Sequence, residues 1–395
     1  MIRTYRWSVV RLLLVAVAMI GLVIPARTSA PVQAAGTPSF SLAVQRELRQ
    51  VVDATLGPMA PGIIVGIWAP GRGTWTYAAG LADVATKEPA RLQDATRIGS
   101  VTKTFVGTLV LQLVDQGKLA LDAPVGRWLP TVPYAQQVTI RELLNMTSGI
   151  YEYGDDPGFL RQNLTHVAVQ GHVMTLAYRW QPRQLVALAA KHPLYFAPGT
   201  GFHYSSTNFL ILGMLLEKVT GRSLADLLQA KITGPLHLAH TLLPSGASLP
   251  VPYWHGYTQL PGSPAVLDGT HVDPSFAWAV GDMVSTLADL HVWAQALATG
   301  ALLSPTLQAQ RLRMTPQSDH TYGLAIFDGF GGLTPGYVGH GGDATGYTTI
   351  MLYQPATRTT MVVLMNFDPV PENHGPAVAL FNKLAGVLHG RGIVA

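Results

Sequence analysis

Residues 100–116 have helical spacing and are apolar on nearly every side, with Val101, Phe105, Val106, Leu109, Val110, Leu113 and Val114 leaving no polar face. A helix of that kind is stable only when other elements surround it. The chain must therefore build a domain with a buried helix at its centre, and Gly117 sets where that helix stops. At 395 residues there is enough chain for one large domain or two ordinary ones.

The segments on either side of the buried helix read differently. Ser41–Leu56 has helical spacing, with Leu42, Val51 and Leu56 among its apolar positions. Ile63–Ala69 is a β-rich apolar run, and a turn at Pro70-Gly71-Arg72-Gly73 leads into Thr74–Ala79, which predicts a hairpin. From about residue 120 to 300 the pattern predicts helices and loops. Asn208–Thr220 and Leu224–Lys231 are helical stretches parted by Gly221, and the Pro-rich segments at 244–264 read as surface loop. Strands return at Tyr347–Tyr353 and Thr359–Asn366, with a turn near Pro355, and Ala377–Leu388 is a last helix. Strands at both ends with helices between predict a split α/β (α+β) region holding an inserted helical region, and no internal repeat is visible.

The N-terminus is a separate matter. Arg3, Arg6 and Arg11 precede an apolar run, Leu12–Ile24, and Val32-Gln33-Ala34 fits a small-x-Ala cleavage pattern. This predicts a secretory signal peptide over 1–34 and an exported, extracytoplasmic protein. The run is short for a membrane-spanning helix, which needs about 20 residues. A membrane association is expected only if the leader stays uncut. Residues 1–34 carry four arginines (Arg3, Arg6, Arg11, Arg27) and no acid, so their removal takes 26 basic against 22 acidic side chains to 22 against 22. The mature chain is then near neutral, and its basicity points to no nucleic acid partner. Charged residues are 12% of the chain, against about 25% in ordinary soluble domains, which implies a mostly buried interior. Cysteine is absent, which excludes disulfides, thiolate nucleophiles and thiolate metal sites. The core alone must stabilise the fold.

Three short elements carry chemistry. In Gly99-Ser100-Val101-Thr102-Lys103, Ser100 and Lys103 stand three apart on one helix face. A serine hydroxyl is a poor nucleophile until something removes its proton. A lysine whose pKa is lowered by burial and by the positive helix end does that work. In Tyr204-Ser205-Ser206, ahead of the helix near Asn208, a phenol at a loop-to-helix junction is placed to relay protons to a leaving group. In Val338-Gly339-His340-Gly341-Gly342, glycines on a strand permit close approach of another backbone, and His340 projects as a donor to Tyr204 or to substrate. Each element taken alone has a plainer structural reading. The first is also a helix cap followed by a surface lysine, the second a half-buried tyrosine, and the third a glycine-rich turn with an incidental histidine.

In this order and context the three elements resemble the serine β-lactamase, DD-peptidase and esterase superfamily, particularly its class C β-lactamase and D-alanyl-D-alanine carboxypeptidase branch. Arg97–Lys103, Leu143–Gly149, Pro198–Phe209, Gly281–Asp289, Tyr322–Leu324 and His340–Tyr347 share the likeness, which covers roughly residues 40 to 390. The resemblance implies an antiparallel sheet flanked by N- and C-terminal helices, with an inserted all-helical region. Residues 38–395 then form one catalytic domain, with a sheet region over 38–98 plus 310–395 and a helical region over 99–309. It further implies that Ser100 is acylated, that Lys103 and Tyr204 share the proton transfers, and that His340 stands where relatives carry Lys or His. The backbone N–H groups of Ser100 and Asp343 are implied as the oxyanion hole, with Ser206, Gly341 and Gly342 beside the substrate. No cofactor or metal is implied, and the expected partner is a small-molecule or peptide substrate. The oligomeric state is not legible.

Two positions depart from that pattern. Ser206 stands where relatives usually have Asn, and Ser reaches less far than an amide and offers fewer hydrogen bonds. Asn208 lies two residues on and faces another direction of the helix. Gly341 stands where many relatives have Thr or Ser. Both changes weaken recognition of a substrate with a free carboxylate. Slow or absent β-lactam hydrolysis and better activity on activated esters are expected. Within the family, D-Ala-D-Ala peptides, D-amino acid derivatives, β-lactams and small esters are not separable by sequence. The competing reading is a weak or inactive member that binds cell-wall peptide or a partner. His237 and His240 have metal-like spacing without an HExxH or carboxylate context. No Gly-x-Ser-x-Gly elbow exists. Tyr153–Asp156 reads as loop, and the Asn145-Met146-Thr147 and Asn163-Leu164-Thr165 sequons read as incidental.

Overall fold

The computed structural model, which describes residues 39–57, 60–259, 265–329, 336–368 and 376–394, opens on helix α1 (Leu42–Asp53), where Ser41 accepts from Val44 N at 3.4 Å as N-cap. The buried stripe of α1 is Val44, Leu48 and Val52. That corrects the apolar positions read from sequence, since Leu42 is exposed and Val51 only half-buried. Heptad-like spacing in a short helix admits two neighbouring stripes, and packing against the sheet selects one.

The predicted hairpin forms as β1 (Gly62–Ala69) and β2 (Gly73–Asp83), antiparallel with Val65 opposite Tyr77. Downstream come α2 (Thr102–Asp115), α3 (Thr207–Thr220) and α4 (Leu287–Thr299), then β3 (Val338–Ala344), β4 (Tyr347–Gln354), β5 (Thr359–Met365) and α5 (Pro376–Gly390). Among the described residues the main sheet runs Phe327–Asp328, β3, β4, β5, β1, β2, Glu88–Pro89, with all neighbours antiparallel. The first strand thus pairs with the last, Ile64 opposite Leu364. The chain between Glu88–Pro89 and Phe327–Asp328 is inserted between two halves of one sheet.

Both sheet faces are covered, which is why the strands read as continuous apolar runs and not as alternation. Ile63, Val65 and Ile67 turn to one face with α1 and α5. Ile64 turns to the other, with Leu287, Leu290 and Trp293 of α4. The helix α2 is central as predicted, and the ring of Phe105 stacks on Trp293 at 4.0 Å. A helix buried on all sides must satisfy its polar side chains internally. Thr104 Oγ1 donates to Val101 O at 2.7 Å and accepts from Trp293 Nε1 at 2.8 Å, and Thr108 Oγ1 donates to Thr104 O at 2.7 Å.

The inserted region is helical in the main but not all-helical. Val167–Gln170 and Val173–Leu176 form a hairpin, and with Tyr257–Gln259, Val266–Asp268 and Phe367–Asp368 they make a second sheet of five strands. In Val173–Leu176 burial alternates residue by residue. That period-two signal is four residues long, and the surrounding helical pattern obscured it. The stretch 244–264 is likewise not all surface loop. Trp254 within it is fully buried and Tyr257–Gln259 is a strand, while 260–264 lie outside the described residues. Tyr153–Asp155 closes a short 3₁₀ turn and Asp156 caps a helix, Pro157–His166. Thr37–Ala395 is one compact unit of the chain. The expected leader, 1–34, lies outside the described residues. No described helix is long and apolar enough to cross a membrane.

Candidate active site

The turn that carries Ser100 is built from the backbone outward. Gly99–Val101 is a 3₁₀ turn feeding directly into α2, so Ser100 sits at the positive end of the helix. Gly99 has φ +50°, and a Cβ there would lie 2.5 Å from both the N and the O of Asp343. A Cβ on Gly342 would lie 2.0 Å from Ile98 O. Only glycines allow β3 to lie against this turn. The contact brings the backbone N–H groups of Ser100 and Asp343 onto facing segments. Just upstream, Arg97 forms a buried ion pair with Asp282 at 3.2 Å and also donates to Ala247 O at 2.7 Å. Burial still pushes the Asp282 carboxyl up to about 8. This pair ties the strand before Ser100 to the segment following helix Trp278–Gly281.

Ser100, Lys103 and Tyr204 meet in this pocket. Lys103 Nζ donates to Ser100 Oγ at 2.8 Å and to Val280 O at 3.1 Å, and its side chain is wholly buried. The Tyr204 phenol lies within the influence of the Ser100 hydroxyl, and Lys103 Nζ lies 4.9 Å from the centroid of the Tyr204 ring. Desolvation lowers the Lys103 pKa to about 7, although the carboxylates of Glu152 and Asp343 act to raise it. Desolvation drives the Tyr204 phenol the other way, well above the ordinary tyrosine value. Near neutrality the pocket therefore holds an amine that accepts a proton and a phenol that retains one.

His340 projects from β3 opposite Met351 and is buried. Its Nδ1 lies 2.5 Å from Gly341 O and its Nε2 lies 3.5 Å from the Tyr322 hydroxyl. A carbonyl only accepts, so Nδ1 carries the proton, and Nε2 is the acceptor for Tyr322. Burial first, then the Lys103 charge, lowers the imidazole pKa to about 3. His340 is thus a neutral group beside Tyr204, with ring centroids 6.2 Å apart. It is not a second cation. Gly341 and Gly342 are buried in β3, opposite Ile350 and Thr349.

Ser206 stands at the N-terminus of α3, and its backbone N–H donates to Glu152. Asn208 is fully buried. It accepts from Ser148 Oγ at 2.7 Å and donates to Met146 Sδ at 3.4 Å. It is committed to the segment 146–148 and is no stand-in for the amide missing at 206. His237 and His240 are exposed, and no described group of three or more His, Asp or Glu could hold a metal.

Sequence reasoning missed Glu152. It lies in the segment after Gly149, its Oε1 accepts from Gly154 N at 3.0 Å, and its field reaches Lys103. Burial raises its carboxyl pKa. A lone acid between two tyrosines gives no periodic signal. The one available hint was its place just after Leu143–Gly149.

A family model described as Beta-lactamase matches residues 34–382. The human serine beta-lactamase-like protein LACTB, mitochondrial, is 25% identical over 297 residues, covering 61% of this chain and 54% of that protein. The chain thus spans about half the length of that relative. Esterase EstB of Burkholderia gladioli is 38% identical over 166 residues, 40% of this chain and 41% of the esterase. A solved D-stereospecific amidohydrolase from Streptomyces sp. superposes with a TM-score of 0.70 at 31% identity, covering 82% of this chain and 94% of that one.

Proposed function

The chain belongs to the Beta-lactamase family, whose members here are serine hydrolases, and on that premise we propose that it hydrolyses amides and esters of D-amino acids through an acyl-enzyme on Ser100. The single observation that carries the chemistry is the 2.8 Å contact between a buried lysine and Ser100. In acylation Ser100 Oγ attacks the substrate carbonyl carbon and its proton passes to Lys103 Nζ. The negative oxygen is met by the N–H groups of Ser100 and Asp343. The tetrahedral adduct collapses, the C–N or C–O bond breaks, and Tyr204 gives its proton to the departing atom. Lys103 returns a proton to Tyr204. Water then attacks the acyl-enzyme and gives a proton to Lys103, the bond between Ser100 Oγ and the acyl carbon breaks to release the carboxylic acid, and Lys103 returns that proton to Ser100 Oγ.

The substrate class rests on two supports. The likeness to the Streptomyces D-stereospecific amidohydrolase extends over nearly that whole chain. The neutral His340 brings no positive charge, and glycine at 341 no hydroxyl, to hold a free carboxylate. The leader over 1–34 supports export, with cleavage after Ala34. Mass spectrometry of the mature protein should then find Ala35 as its first residue.

The test is a panel of D- and L-phenylalanine amide, p-nitrophenyl butyrate and nitrocefin, run beside fluorophosphonate labelling. Turnover of D-amide and ester, slow nitrocefin hydrolysis, and a label lost in Ser100→Ala are the expected results. Rapid nitrocefin hydrolysis with inert amide and ester would reverse the substrate assignment. Wild-type protein that takes no acylating label would overturn the enzyme itself.

A further inference from the structure

The segment Tyr151–Tyr153 is laced to the turn that carries Tyr204. Tyr151 O accepts from Ser205 Oγ at 3.4 Å and from Thr207 Oγ1 at 2.7 Å, while Tyr153 N donates to Thr207 Oγ1 at 3.0 Å. Between these contacts the Glu152 carboxylate spans both segments, accepting from Ser206 N with one oxygen and from Gly154 N with the other. The Glu152 backbone is itself held, its N–H donating to the Tyr195 hydroxyl at 3.3 Å. Six hydrogen bonds thus fix this segment, two of them to the Glu152 carboxylate. Burying a carboxylate costs several kcal/mol unless it is compensated.

The position it serves is the one where the sequence departs from its relatives. An amide at 206 would present an oxygen acceptor toward the lysine, and a serine hydroxyl reaches less far. The structure places a carboxylate on the backbone of that same residue, within electrostatic reach of Lys103. The groups facing Lys103 are Ser100, Tyr204, the carboxylates of Glu152 and Asp343, and the neutral His340. Those facing Glu152 are Lys103, Asp155 and the phenols of Tyr151, Tyr153, Tyr195 and Tyr204.

We propose that Glu152 is a positioning residue of this active site, its carboxylate bringing from a different loop the negative charge that the side-chain oxygen of an Asn at 206 would bring near Lys103. It holds the Tyr204–Ser206 turn in place and provides the negative charge beside which Lys103 becomes an ammonium when it takes the Ser100 proton. The idea rests on the Ser100–Lys103–Tyr204 chemistry proposed above, since Glu152 acts only through those residues.

The experiment is a pH profile of p-nitrophenyl butyrate hydrolysis by wild type, Glu152→Gln, Glu152→Ala and the double variant Glu152→Ala with Ser206→Asn. Removing the charge makes the lysine easier to deprotonate. The acidic limb of kcat/KM in Glu152→Gln should move to lower pH by about one unit, and kcat should fall about tenfold. Ser206→Asn should restore most of the kcat lost in Glu152→Ala. An acidic limb that stays at the wild-type pH in Glu152→Gln, or a double variant no faster than Glu152→Ala, overturns the proposal. Fluorophosphonate labelling of Ser100 in wild type reports separately on the underlying reading, and circular dichroism of each variant reports on folding.

Discussion

A methyl group on Gly342 would stand 2.9 Å from the amide nitrogen of Ser100, because strand β3 lies backbone-to-backbone against the Ser100 turn. Gly342→Ala must push the strand away from Ser100 and separate the two oxyanion donors. Loss of one such donor costs about 10²–10³ in kcat. Steady-state ester hydrolysis should show a loss of that order with the native circular dichroism retained. An unchanged kcat would show that Asp343 N–H plays no part.

Tyr204→Phe separates substrates by their leaving groups. An amine cannot depart without a proton, and general acid catalysis is worth about 10²–10⁴. A p-nitrophenolate leaves unaided. The variant should lose amide turnover by that factor while p-nitrophenyl butyrate hydrolysis falls far less. Equal losses on both substrates would mean that Tyr204 serves to orient Ser100 and does not protonate the leaving group.

The pH dependence follows from Lys103. Its folded pKa is lowered to about 7, and only the neutral amine accepts the Ser100 proton. kcat/KM should therefore rise with pH up to about 7 and level off above it, as the pH–rate profile will report. His340, lowered to about 3, contributes no limb in that range. Lys103→Arg keeps its charge at every accessible pH and should be inactive throughout.

Phe105 is fully buried and stacked on Trp293. Phe105→Ala removes most of that ring and leaves a cavity at the centre of the fold, a change that costs about 3–5 kcal/mol. Urea unfolding should show the midpoint falling accordingly. A loss below about 1 kcal/mol would mean that the neighbouring side chains collapse into the space.

Much of the fold was legible because burial imposes periodicity. The apolar surround of Val101–Val114 predicted a central helix, and the two apolar runs around Pro70–Gly73 predicted the β1–β2 hairpin, and both form. The hairpin Val167–Leu176 was not legible. Two four-residue strands carry little pattern, and their pairing with Val266–Asp268 is made across ninety residues of chain. The stripe of α1 was misjudged for a related reason. Leu42 is as apolar as Val44, and only the neighbouring sheet decides which of them is covered.

The sequence by itself determined which residue types stand within one turn of each other: Ser100 and Lys103 on a single helix face, glycines at 341 and 342, a phenol at a helix start. Those are local facts, set by backbone geometry. Tertiary structure alone decided their chemistry. The Lys103 pKa is lowered to about 7 because α3, helix Trp278–Gly281 and β3 exclude water from it, and His340 is neutral for the same reason. Glu152 comes beside these residues only because a loop fifty residues from Tyr204 is bonded onto its turn. A proton's affinity for a side chain depends on the dielectric and the charges around it, and those are supplied by segments that no local pattern connects.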